Sequence, residues 1–81
     1  PALLDTLAFA LAAEGDLAGA IDTQKKAVEL APTAHALRLN LARMYLDAND
    51  KDGAKRELTL LKNAGPAFER QSEVQALEAR L

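Results

Sequence analysis

Four short breaks, Gly15-Asp16, Ala31-Pro32-Thr33, Asn49-Asp50 and Gly65-Pro66, punctuate this 81-residue chain, and the residues between them are mostly helix formers. Each break can stop one helix and start the next. Gly15 and Asn49 tolerate the left-handed backbone that closes a helix, while Asp16, Thr33 and Asp50 carry a side-chain oxygen that can cap the following first turn. Links this short force consecutive helices antiparallel. They predict one hairpin from residues 2–14 and 17–30, a second from 34–48 and 51–63, and a lone helix over 67–81. Ala, Leu, Glu, Lys, Arg, Gln and Met supply 53 residues and Val, Ile and Thr only seven, so a sheet is excluded and the expected class is all-α.

A chain of this length buries only roughly 60% of its unfolded surface, so its core depends on tight packing or on a neighbour. The two hairpins look like copies of one unit. At an offset of 34 the identical pairs are Ala2/Ala36, Leu3/Leu37, Leu7/Leu41, Ala8/Ala42, Asp16/Asp50, Gly19/Gly53, Ala20/Ala54 and Pro32/Pro66. Their placement matters more than their number in a chain rich in Ala and Leu. Ala8 with Ala20, and Ala42 with Ala54, fall where the helices of a hairpin must approach closely, and Leu7 and Leu41 are expected to fill the seam beside them.

These residues resemble the tetratricopeptide repeat, a 34-residue helix–turn–helix unit. Leu4, Leu7, Ala8, Leu11, Ala20, Ala27 and Pro32 fall at its spacings in the first copy, and Leu41, Ala42, Tyr45, Ala54, Leu58, Leu61 and Pro66 in the second. Two residues depart from it. Arg38 stands where a large apolar side chain is expected, and Gln24 where the second aromatic usually sits. The resemblance implies a right-handed superhelix of antiparallel hairpins, with hairpins at 1–34 and 35–66 closed by a capping helix at 67–81. That makes five helices. Val74, Leu77 and Leu81 form the capping helix's apolar stripe, with Phe68 near its start and Glu69, Glu73 and Arg80 off it. More narrowly, Leu4-Asp5-Thr6-Leu7, Gly15-Asp16, Ala31-Pro32, Leu41-Ala42 and Phe68-Glu69, in that order, are similar to the C-terminal repeats of bacterial tetratricopeptide lipoproteins of the exosortase and PEP-CTERM sorting system. That likeness implies a bacterial cell envelope or periplasm.

Charge and chemistry narrow the function further. A net charge of −2 gives no attraction to phosphate backbones or anionic lipid, so nucleic acid is not an expected partner. The longest apolar run, Leu7 to Ala13, is far too short to span a membrane. Pro1 in place of an initiator Met leads us to expect a chain cut from a longer array. His35 is the only histidine, Ser72 the only serine, and there is no cysteine, so neither a catalytic triad nor a histidine metal cluster can be assembled. Asp47, Asn49, Asp50, Asp52 and Gly53 superficially suggest a calcium loop. From Asp47, however, the closing ligand would be Leu58, and helix-end capping explains the cluster better. The expected class is non-catalytic, with no cofactor and no metal. Lys25-Lys26 and Lys55-Arg56 are read as solvated outer faces.

On the first helix of each hairpin, Asp5, Phe9 and Ala12 share one face at i, i+4, i+7, and Leu39, Arg43 and Leu46 repeat that spacing. The family resemblance implies that such faces line a concave groove, here floored by Ala2, Asp5, Phe9, Ala12, Ala13, Ala36, Leu39, Arg43, Leu46 and Asp47. An apolar floor with few charges suits a peptide segment anchored by Asp5 or Arg43. The basic, Asn-rich carboxylate clamp of chaperone-binding relatives is missing, since the comparable places hold Asp5, Phe9, Ala13, Ala36 and Leu39. A structural alternative stands beside the groove. Phe9, Leu39 and Leu46 can instead pack against one another or against neighbouring repeats, so that the chain ends a longer solenoid whose ligand groove lies upstream. The first helix, apolar nearly all round from Leu3 to Ala13, is expected to be covered on two sides, by an upstream repeat or by a second copy.

Overall fold

The computed structural model describes residues 1–63 and 71–81, so the expectations that fall on Gly65-Pro66, Phe68 and Glu69 lie outside the described residues. Among the described residues five helices run in order: α1 (Ala2–Ala13), α2 (Leu17–Leu30), α3 (His35–Asp47), α4 (Lys51–Asn63) and α5 (Gln71–Glu78). They make the described chain 81% helical, without a strand among the described residues.

The two hairpin tips are built alike. Gly15 has φ 90° and Asn49 φ 61°, the left-handed values expected of them. Behind each, an amide reaches back five residues to close the helix, Asp16 N–H to Leu11 O at 2.9 Å and Asp50 N–H to Tyr45 O at 2.8 Å. Each aspartate then caps the next helix, its Oδ1 accepting from Gly19 N–H at 2.9 Å and from Gly53 N–H at 3.0 Å. The calcium-like cluster therefore includes a helix stop at Asn49 and a cap at Asp50. Between the hairpins the expected cap fails. Ala34, not Thr33, is the N-cap of α3, and no side chain caps it. The Ala34 N–H bonds Ala31 O at 3.0 Å, a turn that leaves the Thr33 hydroxyl one residue too early.

α1 packs on α2 and α3 on α4, α2 bridges to α3, and α5 lies on α4 with a smaller contact to α3. Ala8, Ala20, Ala42 and Ala54 are fully buried, which lets the paired helices approach closely as their spacing predicts. Gly53 is needed for the same reason, because a Cβ there would come within 2.7 Å of the Tyr45 ring. The main core joins Leu41, Tyr45, Leu58 and Leu61 of the second hairpin to Val28 of α2 and to Val74 and Leu77 of α5.

Leu7 does not fill the seam. It is 50% exposed, whereas its repeat partner Leu41 is 1% exposed, because Leu41 packs beside α2 and no helix among the described residues takes that place in front of Leu7. Leu81 also departs from its expected stripe, since α5 ends at Glu78 and leaves it exposed.

Candidate functional site

The candidate face runs across α1, α3 and α5. Ala2, Ala13 and Ala36 are exposed along it, Ala12 is half-buried, and Phe9 is 46% exposed. Leu39 and Leu46, expected on its floor, lie in the core instead. Leu39 is 0% and Leu46 8% exposed, and both belong to one buried cluster with Val74 and Leu77 of α5. The final helix covers that part of α3, so the apolar character of the remaining face is carried by Phe9 and the alanines.

The charged residues of the face are held in three different ways. Arg43 faces Glu73 of α5 with Nη2–Oε2 at 3.8 Å, and Asp47 accepts from Nη2 of Arg80 at 3.4 Å. Both pairs are well solvated and contribute at most about 1 kcal/mol each. They link α3 to Glu73 of α5 and to Arg80 just beyond it. Asp5 is held by uncharged groups. Its Oδ1 accepts from Nε2 of Gln24 on α2 at 2.8 Å and from Nδ2 of Asn40 on α3 at 3.2 Å.

Gln24, the departure from the aromatic pattern, is fully buried and is the polar centre of this three-helix junction. Its Nε2 also donates to Leu37 O at 2.9 Å, while its Oε1 finds no partner among the described residues. Arg38, the other departure, pairs with Glu57 at 2.7 Å in a largely buried bridge between α3 and α4. Both positions replace an apolar contact with a hydrogen bond between helices. The residues that the spacing argument missed are thus Gln24, Asn40, Glu73 and Arg80. The available signal was Gln24 itself, since a polar side chain in an apolar seam must find partners.

Two clefts lie away from this face. One of about 530 Å³ is bordered, among the described residues, by Asp52, Lys55, Arg56, Thr59 and Leu60 of α4. The other, about 410 Å³, is bordered by residues that include Lys25, Glu29, Arg38 and Glu57 on the outer side of the hairpins. Lys25, read as a purely solvated charge, sits with its Nζ 5.9 Å from the Tyr45 ring centroid. Neither cleft includes a residue of the candidate face. Among the described residues no three His, Cys, Asp or Glu side chains gather as a metal-binding group, and no helix is long and apolar enough to cross a membrane.

Among known proteins, the family model described as tetratricopeptide repeat matches residues 11–81. The match begins inside α1, so Asp5 and Phe9 precede it. No curated protein and no solved structure matches the chain.

Proposed function

Because the chain belongs to the tetratricopeptide repeat family, whose repeats generally mediate protein–protein interaction, we propose that it is a non-catalytic scaffold that holds a peptide segment along α1 and α3. The observation that carries this reading is Phe9, a half-exposed aromatic one helical turn from Asp5, on the face that continues to Arg43 and Asp47. An exposed ring flanked by small alanines offers apolar contact area, and the neighbouring charges orient what lies on it. So small a surface binds weakly, on the order of micromolar or poorer.

The test is phage display of random 12-residue peptides on the folded chain, followed by amide shift mapping with a recovered peptide. Shifts along Phe9, Ala13, Ala36 and Arg43 support the reading. Shifts confined to the outer helices around Lys25 and Lys55 refute it.

A second reading is favoured by the apolar surface of α1. Leu3 is 86% exposed and Leu7 50%, while their repeat partners Leu37 and Leu41 pack in the core beside α2. In this reading α1 is an internal helix of a longer solenoid, covered by an upstream repeat or by a second copy. The C-terminal end contrasts with it, because α5 presents Ser72, Gln75 and Ala76 to solvent. Sedimentation and melting of the chain, with and without an added upstream hairpin, distinguish the two readings. A strict monomer at high concentration that gains no stability from the added hairpin refutes this second one. The order of Leu4-Asp5-Thr6-Leu7, Gly15-Asp16, Ala31-Pro32 and Leu41-Ala42 is what favours a cell-envelope setting of the PEP-CTERM lipoprotein kind.

A further inference from the structure

We infer that Asp5 is the anchor for a primary ammonium group, the side chain of a lysine in the bound segment. This deepens the peptide-binding reading and rests on it.

The carboxylate is fixed where three helices meet. Its Oδ1 takes one hydrogen bond from Gln24 and one from Asn40. Gln24 cannot swing away, because it is fully buried and also donates to Leu37 O. A carboxylate oxygen offers about two lone-pair directions, so Oδ1 is saturated. Oδ2 accepts no hydrogen bond from any described residue.

Both donors are neutral amides, so no ion pair among the described residues compensates the charge of Asp5. No cation among the described residues lies within ion-pair distance of it, whereas Asp47 and Glu73 on the same face each have an arginine. Partial burial keeps solvent and salt from screening such a charge fully. The face therefore offers one immobilised negative charge with one open oxygen.

That geometry separates the two cations a peptide can bring. An arginine gains most from its planar fork, which needs both carboxylate oxygens for two parallel bonds, and Oδ1 already holds two donors. A lysine ammonium is a compact point donor that a single oxygen satisfies. Phe9 lies four residues on, about 6 Å along the helix axis, so its exposed ring can cover a lysine's methylene stem while the ammonium reaches Oδ2. A purely structural role, in which Asp5 complements the start of α1 and staples three helices, uses Oδ1 and leaves Oδ2 spare.

The probes are three 15-residue alanine–leucine helical peptides, identical except for a central lysine, arginine or norleucine. Each is titrated into the full chain at low salt, with affinity and the side-chain amide signals of Gln24 and Asn40 as readouts. We expect the lysine peptide to bind ~3–10-fold tighter than the norleucine peptide and tighter than the arginine peptide. It alone should shift both side-chain amide signals strongly. Asp5→Asn keeps an acceptor for Gln24 and Asn40 and removes the charge, so it should abolish the lysine preference while norleucine-peptide binding persists. Equal binding of lysine and norleucine peptides, or an arginine peptide at least as tight, overturns the inference and leaves the groove standing. If no peptide perturbs α1 or α3, the groove reading fails and the inference falls with it. The ranking on the unaltered chain stands even if Asp5→Asn does not fold.

Discussion

Leu7 and Leu41 occupy the same place in successive hairpins, yet Leu41 is sealed behind α2 while half of Leu7 meets solvent. The difference is one of neighbours, since both follow the same local pattern and both precede a buried alanine, Ala8 or Ala42. Truncating the two should therefore give unequal losses. Leu41→Ala opens a cavity in the main core and should cost about 3 kcal/mol. Leu7→Ala should cost under about 1 kcal/mol in the isolated chain, because little burial is lost. Urea unfolding of the two variants measures both. If an upstream repeat or a second copy covers α1 in the assembled state, the loss for Leu7→Ala should rise toward that of Leu41→Ala there.

The hairpin tips give a second expectation. Gly53→Ala drives a methyl group toward the Tyr45 ring, which is itself packed in the core, so α4 must move away from α3. The expected loss is about 1–3 kcal/mol, the usual range for overpacking. Gly15 has open space around a Cβ, but its φ of 90° strains any other residue. Gly15→Ala should cost about 1–2 kcal/mol through backbone strain alone. Thermal melts rank the two, and a Gly53→Ala variant as stable as the parent would contradict the close approach.

The polar junction predicts an asymmetry between its members. Gln24→Met removes a buried amide whose Oε1 is orphaned and leaves an apolar side chain of similar shape, so stability should change by less than about 1 kcal/mol. Asp5→Ala is different, because it strips an acceptor from the buried Gln24 and from Asn40 at once, and should cost about 1–3 kcal/mol. Denaturation of the two single variants and of the pair checks this. In the double variant the two losses should not add, since the residues share one interaction.

Much of the fold was legible because its signals are local. Gly15, Asp16, Asn49 and Asp50 act within a few residues of themselves, and the alanine pairs mark their own seam. What escaped depends on distant packing. Nothing near Leu39 or Leu46 tells whether their shared face stays open or is covered, and the docking of α5 decides it. Leu7 reads the same as Leu41 until the preceding helix is considered. Asp5 meets partners 19 and 35 residues away, a pairing that helical periodicity does not encode. Gln24 was visible only as a misfit, and its misfit is what brings Asp5 into place.

The two ends of the candidate face should respond differently to salt. Phe9 contributes apolar contact, so Phe9→Asp should weaken peptide binding at every ionic strength, by roughly tenfold for an exposed aromatic of this kind. Arg43 is well solvated and lies 3.8 Å from Glu73, so reversing it places two carboxylates side by side on the rim. Arg43→Glu should thus repel an acidic peptide group at low salt, and most of the effect should vanish near 0.5 M, where the screening length is only ~4 Å. Titrations of a recovered peptide at low and high salt measure both changes. A Phe9→Asp effect that disappeared with salt would mean that the loss comes from the charge introduced beside Asp5 and not from the missing ring, and the apolar part of the groove would have to be given up.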